Sequence, residues 1–216
     1  EDLERADRTR RAARTDLERD ARVLGSREHA VTDAFVVGGA RTPRGKGSPK
    51  GALHALTPVE LVTHLLEHLH VPADAVEDLV LGCATQIDAQ GANIARTAAL
   101  LAGWSTPGVT LNRFCASGLD AVATAASRVR AGDASLIVAG GVASVSRVPM
   151  LADRGPLYTD PAIAAKLGTV HMGVSADLVA TLDGTTREAL DDYAEASRRK
   201  ARAAANPPSL VPTHGL

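Results

Sequence analysis

The 216-residue sequence is poor in aromatic side chains: one Trp, two Tyr and two Phe make up 2% of it. A binder of single-stranded nucleic acid needs rows of rings on which bases stack, and so few cannot build one. A charge excess of one sign is also missing. The 24 Lys and Arg nearly balance 25 Asp and Glu, for a formal net charge of -1. No overall field therefore draws nucleic acid or an anionic membrane, and an acidic ligand must be held by local groups. Cys83 and Cys115 are the only cysteines. Two are too few for a disulfide framework, no Cys/His array has zinc spacing, and a reducing, cytoplasmic setting is expected with no metal. No run approaches the roughly 20 apolar residues of a membrane helix. The first residues have neither the apolar core of a signal peptide nor the acid-poor character of a transit peptide, so a soluble chain without membrane insertion is expected.

What is present is Ala, Val, Leu and Gly in alternating textures. Residues 1–29 are charged, with sparse apolar positions at Leu3, Ala6, Ala13, Leu17 and Leu24, and are expected to form a solvated helix or a frayed arm. From Thr32, "TDAFVVGG" has the pattern of a short buried strand. The loop "ARTPRGKGSPKGAL" follows, then the helix "TPVELVTHLLEHL", with Thr57 as cap, Pro58 at the first position and Glu60 three residues on. Next come a strand "EDLVLGC", a helix "NIARTAALLAGW" ended by Gly103, a strand "GVTLN", a helix "SGLDAVATAASRVRAGD" and a strand "ASLIVAGG". Strands alternating with helices predict right-handed crossovers and an α/β domain, residues 30–145, whose mainly parallel sheet carries helices on both faces. Residues 146–216 read as an irregular, then α-rich excursion with helices in "VSADLVATL" and "TREALDDYAEASRRKARAAA", the latter capped by Thr185 or Thr186, ending in the loop "NPPSLVPTHGL".

The chemistry concentrates in "LNRFCASGL", residues 111–119. Cysteine attacks as thiolate, and a helix N-terminus favours that form by aiming backbone N–H dipoles at the sulfur. Cys115 directly precedes the helix expected from Ser117. Ala116, Ser117 and Gly118 are small enough to admit a carbonyl to the sulfur and to nearby N–H groups that stabilise an oxyanion. On these grounds alone a nucleophile and an inert cysteine at a strand-to-helix turn both stand.

"NRFCASGLDAV" resembles the nucleophile segment of the thiolase family, enzymes that make or cleave a carbon–carbon bond between acyl-CoA units. "VVGGARTPRGKGSPKGALHALTPVEL", "LVLGCATQIDAQGANIARTAALLAGW", "LIVAGGVASVSRVPM" and "GVSADLVATLDGTTREALDDYAEASRRKA" resemble, in order, further parts of that family's N-terminal half and the start of its CoA-binding loop domain. The opening loop is similar to that of degradative thiolases, the β-subunits of fatty-acid oxidation complexes. The resemblance implies Cys115 as the nucleophile that carries the acyl thioester, CoA as a substrate with no cofactor, and a homo-oligomer. It also implies His171 and Met172, in "VHMGVSADLVA", as lining for the pantetheine and acyl pocket, where a loop His and a packing Met are the alternative. Arg198, Arg199 and Lys200 are candidates for the CoA phosphates, against a solvated helix face.

The family's Gly-His-Pro, Cys-x-Gly and Asn-Glu-Ala-Phe motifs, which supply base, acid and oxyanion donors, do not occur in these 216 residues. Near inactivity of this polypeptide alone is therefore expected, with a catalytically silent binding or assembly module and a ketosynthase-related condensing enzyme as the other readings. Cys83, at the end of a strand, reads as core. "HLLEH", His64 to His68, fits an inverted zinc-peptidase pattern. The stripe Leu61, Val62, Leu65, Leu66 and Leu69 leaves His64, Glu67 and His68 on the opposite, solvated side with no third ligand, so zinc is not expected. "GARTPRGKGS" misses the phosphate-loop spacing by one residue and has Gly47 where Ser or Thr is needed.

Overall fold

A computed structural model describes residues 33–204 and 207–216; the charged extension expected over residues 1–29 lies outside them. Thr57 ends the opening loop and starts α1 (Pro58–His68) as the sequence predicts. Its hydroxyl accepts the Glu60 N–H at 3.3 Å, and the Glu60 carboxylate accepts the Thr57 N–H at 2.7 Å. This reciprocal box satisfies two donors that a helix start otherwise leaves bare. α2 (Ile94–Leu101) is capped by the Asn93 side chain and is followed by Gly103, whose φ of 77° needs a residue without Cβ.

Three strands form the sheet: β1 (Asp78–Gly82), β2 (Gly108–Leu111) and β3 (Ile137–Gly141), all parallel, in the order β2-β1-β3. The chain moves from β1 to β2 through α2, then crosses back over β1 to β3 through α3 (Ser117–Arg130). Reversing direction with crossovers of one hand places the two helices on opposite faces. The register agrees. Leu79 is aligned with Gly108, where a Cβ would lie 2.7 Å from the Arg96 backbone nitrogen of α2. Gly82 points the other way, where a Cβ would lie 2.2 Å from the Ser117 backbone of α3.

The main core lies on the α2 face. Leu79 and Leu81 of β1 pack with Val62 and Leu66 of α1, with Ala95, Ala98 and Ala99 of α2, and with Trp104. The alanines are what let α2 settle so close to the sheet. On the other face α3 buries Ser117, Ala121 and Ala125, and Arg128 near its end bonds both Asp78 of β1 and Asp133 of the following turn.

One expected strand does not form. Residues 33–39 form no strand, and Phe35, Val36 and Val37 are 78%, 86% and 78% exposed. Apolar β-branched texture reports a preference for a pleated, half-buried surface, whereas a strand exists only through its neighbour, and both sides of β1 are occupied by β2 and β3. Pairing begins two residues after the glycines, where the Arg41 N–H donates to the Ser209 carbonyl at 2.8 Å and the Val211 N–H donates to the Arg41 carbonyl at 2.9 Å. The terminal segment thus returns to the sheet domain and buries Val211 and Thr213.

After β3 come α4 (Pro156–Thr159), α5 (Pro161–Leu167), α6 (Met172–Leu182) and α7 (Arg187–Ala203). The last two match the helices expected, with Thr186 as the cap of α7; the two short Pro-started helices were not foreseen. None of the four buries a side chain. Among the described residues no helix is long and apolar enough to cross a membrane.

Candidate active site

Between the end of β2 and the start of α3 the chain makes a turn held by two side chains. Asn112 donates through Nδ2 to the Ala84 carbonyl beyond β1 at 3.0 Å, and its Oδ1 accepts the Phe114 N–H at 2.7 Å. The Ser117 hydroxyl accepts the Arg113 N–H at 2.8 Å and donates to the Phe114 carbonyl at 2.6 Å. Between these anchors Phe114 takes a φ of 48°, a left-handed conformation that bulky residues rarely adopt and that surrounding bonds must enforce. Arg113 braces the outside through an ion pair with Asp120 in the first turn of α3, 2.9 Å. Cys115 is carried at the crest of this turn, exposed to solvent, while Ser117 two residues on is only 4% exposed.

Glycines bring the turn onto the sheet. A Cβ on Gly141 would meet the Gly118 Cα at 3.1 Å, and one on Gly82 would overlap the Ser117 backbone. These residues end β3 and β1, so the N-terminus of α3 rests on the carboxyl ends of two parallel strands. Open α/β sheets use that edge for ligands, because helix N-termini and connecting loops converge there. Ala116, the N-cap of α3, supplies no side-chain cap, and the turn's own carbonyls serve instead: the Ala116 and Ser117 N–H groups donate to the Arg113 and Phe114 carbonyls, each at 3.0 Å.

The other candidates occupy different places. His171 is the N-cap of α6, where its Nδ1 accepts the Gly173 N–H at 3.2 Å, and Met172 begins that helix with its side chain exposed. Among the described residues, the side-chain hydrogen bond of His171 is thus to its own helix and not to the cysteine turn. Arg198, Arg199 and Lys200 stand exposed on α7. Cys83 is buried at 1% exposure, as its strand-end position predicts, and burial pushes its thiol pKa up. The histidines of α1 differ in part from the sequence reading. His64 is half-buried, because its Nε2 donates to the Pro212 carbonyl of the returning terminal segment at 2.9 Å. His68 donates through Nδ1 to the His64 carbonyl at 2.7 Å, and Thr63 rather than Leu65 completes the buried stripe. Among the described residues, no group of three or more His, Cys, Asp or Glu side chains could hold a metal ion.

Sequence reasoning valued Ser117 for its smallness and passed over Asn112. Both act through their polar atoms. The available signal was their type and position: Asn three before and Ser two after the cysteine are the residues whose side chains imitate backbone partners in tight turns.

Comparison with known proteins shows the family. The model of the thiolase N-terminal domain matches residues 34–210. The 3-oxoadipyl-CoA/3-oxo-5,6-dehydrosuberyl-CoA thiolase of Escherichia coli is 35% identical over 191 residues, covering 79% of this chain and 48% of that protein. The 3-ketoacyl-CoA thiolase of Bacillus subtilis is 37% identical over 181 residues, covering 79% and 45%. Among solved structures, the acetyl-CoA acetyltransferase of Bacillus anthracis aligns over 53% of this chain and 30% of that one, with 36% identity and a TM-score of 0.48. The chain spans about half the length of the curated relatives it matches. With the family's N-terminal model covering the sheet, the cysteine turn and the helices beyond β3 in one continuous match, the chain belongs to the thiolase family.

Proposed function

We propose that this chain carries the acyl-transfer half of a thiolase-type acyl-CoA C-acyltransferase, with Cys115 as the residue that becomes acylated. One observation carries the reading: Cys115 is solvent-exposed at a braced turn directly before the N-terminus of α3, on the carboxyl edge of the sheet. Residues 30–145 would form the nucleophile-bearing domain and residues 146–216 part of a loop domain for CoA. His171 and Met172 would line the acyl and pantetheine path.

In thiolysis the Cys115 thiolate attacks the 3-keto carbon of a 3-ketoacyl-CoA. The bond between C2 and C3 breaks, its electron pair leaves with C2 of acetyl-CoA, and C2 takes up a proton. The acyl group remains on sulfur as a thioester until the thiol of a second CoA attacks it and restores free Cys115. Proton transfer at C2 and activation of the incoming thiol each need a general acid or base. In the family these groups come from motifs absent from the 216 residues, so the complete reaction requires residues beyond them. A role in fatty-acid degradation, within an oxidation complex, is part of the same proposal; the resemblance of the opening loop and the 3-ketoacyl-CoA thiolases among the relatives support the degradative role.

The test is intact-mass analysis of the chain after incubation with acetyl-CoA or, separately, acetylated carrier protein. One acetyl group on Cys115 from acetyl-CoA, absent in Cys115→Ala, is expected. Labelling of Cys83, labelling from the carrier protein alone, or no label would overturn the assignment. Thiolysis by the purified chain is expected to run at least about 10²-fold below a complete thiolase, since acid–base help alone contributes that much; turnover at a complete enzyme's rate would contradict it.

A further inference from the structure

Each strand of the sheet runs into a loop at the carboxyl edge, and one buried side chain ties two of those loops together. Gln90 lies between β1 and α2 and is 2% exposed. Its Nε2 donates to the Thr85 carbonyl after β1 at 2.8 Å, and its Oε1 accepts the Ser144 N–H after β3 at 2.5 Å. Ser144 holds its own loop in turn. Its carbonyl accepts the Arg147 and Val148 N–H groups at 2.9 and 2.8 Å, and the Arg147 guanidinium donates to the His54 and Ala55 carbonyls ahead of α1. The loop that carries Gln90 is strained: Asp88, Ala92 and Asn93 have φ of 46°, 50° and 57°, a conformation that their surroundings must enforce. Asn93 fixes one end to β2 by donating through Nδ2 to the Gly108 carbonyl at 2.8 Å, and Gln90 fixes the middle. Water would satisfy the same polar groups in the unfolded chain, so a buried amide of this kind contributes little net stability. What it supplies is a single arrangement of the groups it joins.

We infer that Gln90 is a positioning residue for Cys115. The Thr85 carbonyl that it holds is one residue from the Ala84 carbonyl, which accepts the Asn112 Nδ2, and the Asn112 Oδ1 accepts the N–H of Phe114, the residue before the cysteine. Side chain, backbone and side chain therefore run without a break from the loop after β3 to the cysteine turn after β2, with Gln90 at the junction. Among the described residues no hydrogen bond joins Gln90 to Cys115 itself, so Gln90 acts through Asn112. The inference rests on the reading of Cys115 as the acylated residue and adds the side chain that sets where its sulfur stands. Losing Gln90 leaves the thiol in place and releases the frame around it.

A double-mutant cycle on the 216-residue chain tests it, with Gln90→Met, similar in length but without the amide, and Asn112→Ala. The rate at which acetyl-CoA acetylates Cys115 is followed by intact mass. Gln90→Met is expected to lower the saturating rate about threefold or more and to leave the half-saturating acetyl-CoA concentration within about twofold, because the sulfur shifts while no contact to CoA is removed. In the Asn112→Ala background the same change is expected to have no further effect, which a general loss of stability would not reproduce. Iodoacetamide, which needs only a thiol, is taken through the same cycle and is expected to show the same non-additivity. If acetyl-CoA leaves no label on the unmodified chain, the acyl-transfer reading fails, and the iodoacetamide cycle still decides the role of Gln90. Far-UV circular dichroism checks that each variant is folded; Gln90→Asn, an amide one methylene too short, takes the place of Gln90→Met if that variant is not. An unchanged rate in the Gln90 variant, an effect that adds in full to that of Asn112→Ala, or an effect confined to the half-saturating concentration would overturn the inference.

Discussion

Ser117 carries more of the candidate site than its size implies. Its hydroxyl is shared between the Arg113 N–H and the carbonyl of the left-handed Phe114, and the residue is only 4% exposed. Ser117→Ala leaves a backbone donor without its acceptor in a tight turn, and a loss of about 1–3 kcal/mol in denaturant unfolding is expected. The same change should alter the alkylation rate of Cys115, because the turn that holds the sulfur loosens; an unchanged rate together with unchanged stability would show that Asn112 suffices. Cys83 offers the contrast. Burial raises its thiol pKa, so its contribution to stability is intact below the ordinary thiol value and is lost as the pH rises through the higher folded-state value. Near neutral pH, iodoacetamide is expected to modify Cys115 first and to leave the folded Cys115→Ala variant almost unlabelled, read by intact mass. The cysteine itself was legible from its place before a helix and among small residues. The bracing was not, because a polar side chain that replaces a backbone partner leaves no periodic trace.

At the scale of elements, helices were legible through their punctuation and strands only through texture. Thr57, Pro58 and Glu60 announce α1, and the structure forms the whole box. Thr57→Ala is expected to cost about 1 kcal/mol. Glu60 has its carboxyl pKa lowered, chiefly by accepting the Thr57 N–H and then the Thr57 hydroxyl. Its share of the stabilisation is therefore present above the usual carboxylate range and is lost as the pH falls through the lower folded-state value, a loss that Glu60→Gln should remove from the pH profile and that Thr57→Ala, which keeps the backbone N–H, should only reduce. The segment 33–39 shows the limit of texture: its apolar run matched a strand, but pairing depends on which neighbours the topology leaves open. Glycines at strand ends read as turn signals, yet at Gly82 the requirement is space. Gly82→Ala drives a Cβ into the Ser117 backbone and should cost about 3 kcal/mol or more, whereas Gly140→Ala meets only Leu81 Cδ2 at 3.9 Å and should be tolerated. Equal melting temperatures for the two variants would mean that α3 does not rest on β1 as described.

For the whole molecule, the alternation of strands and helices made the two-faced parallel sheet legible, while the unequal burial of those faces was invisible to it. Leu66 of α1 is 3% exposed within the core on the α2 face; Leu119 of α3, on the other side, is 75% exposed. Both are leucines on amphipathic helices, and packing tells them apart. Apolar patches of this kind mark surfaces that meet something else, and the chain spans only about half the length of the curated relatives it matches. The exposed outer side of α3 sets a quantitative expectation. Leu66→Ala should destabilise the chain by about 2–5 kcal/mol, since it removes buried methyl groups and leaves a cavity. Leu119→Ala should stay within about 0.5 kcal/mol, the range of surface changes that break no packed contact. Denaturant unfolding of the 216-residue chain measures both. If Leu119→Ala costs as much as Leu66→Ala, the outer face of α3 is covered in solution, and a concentration-dependent cost would identify the cover as another copy of the chain, because only an intermolecular contact makes stability depend on protein concentration.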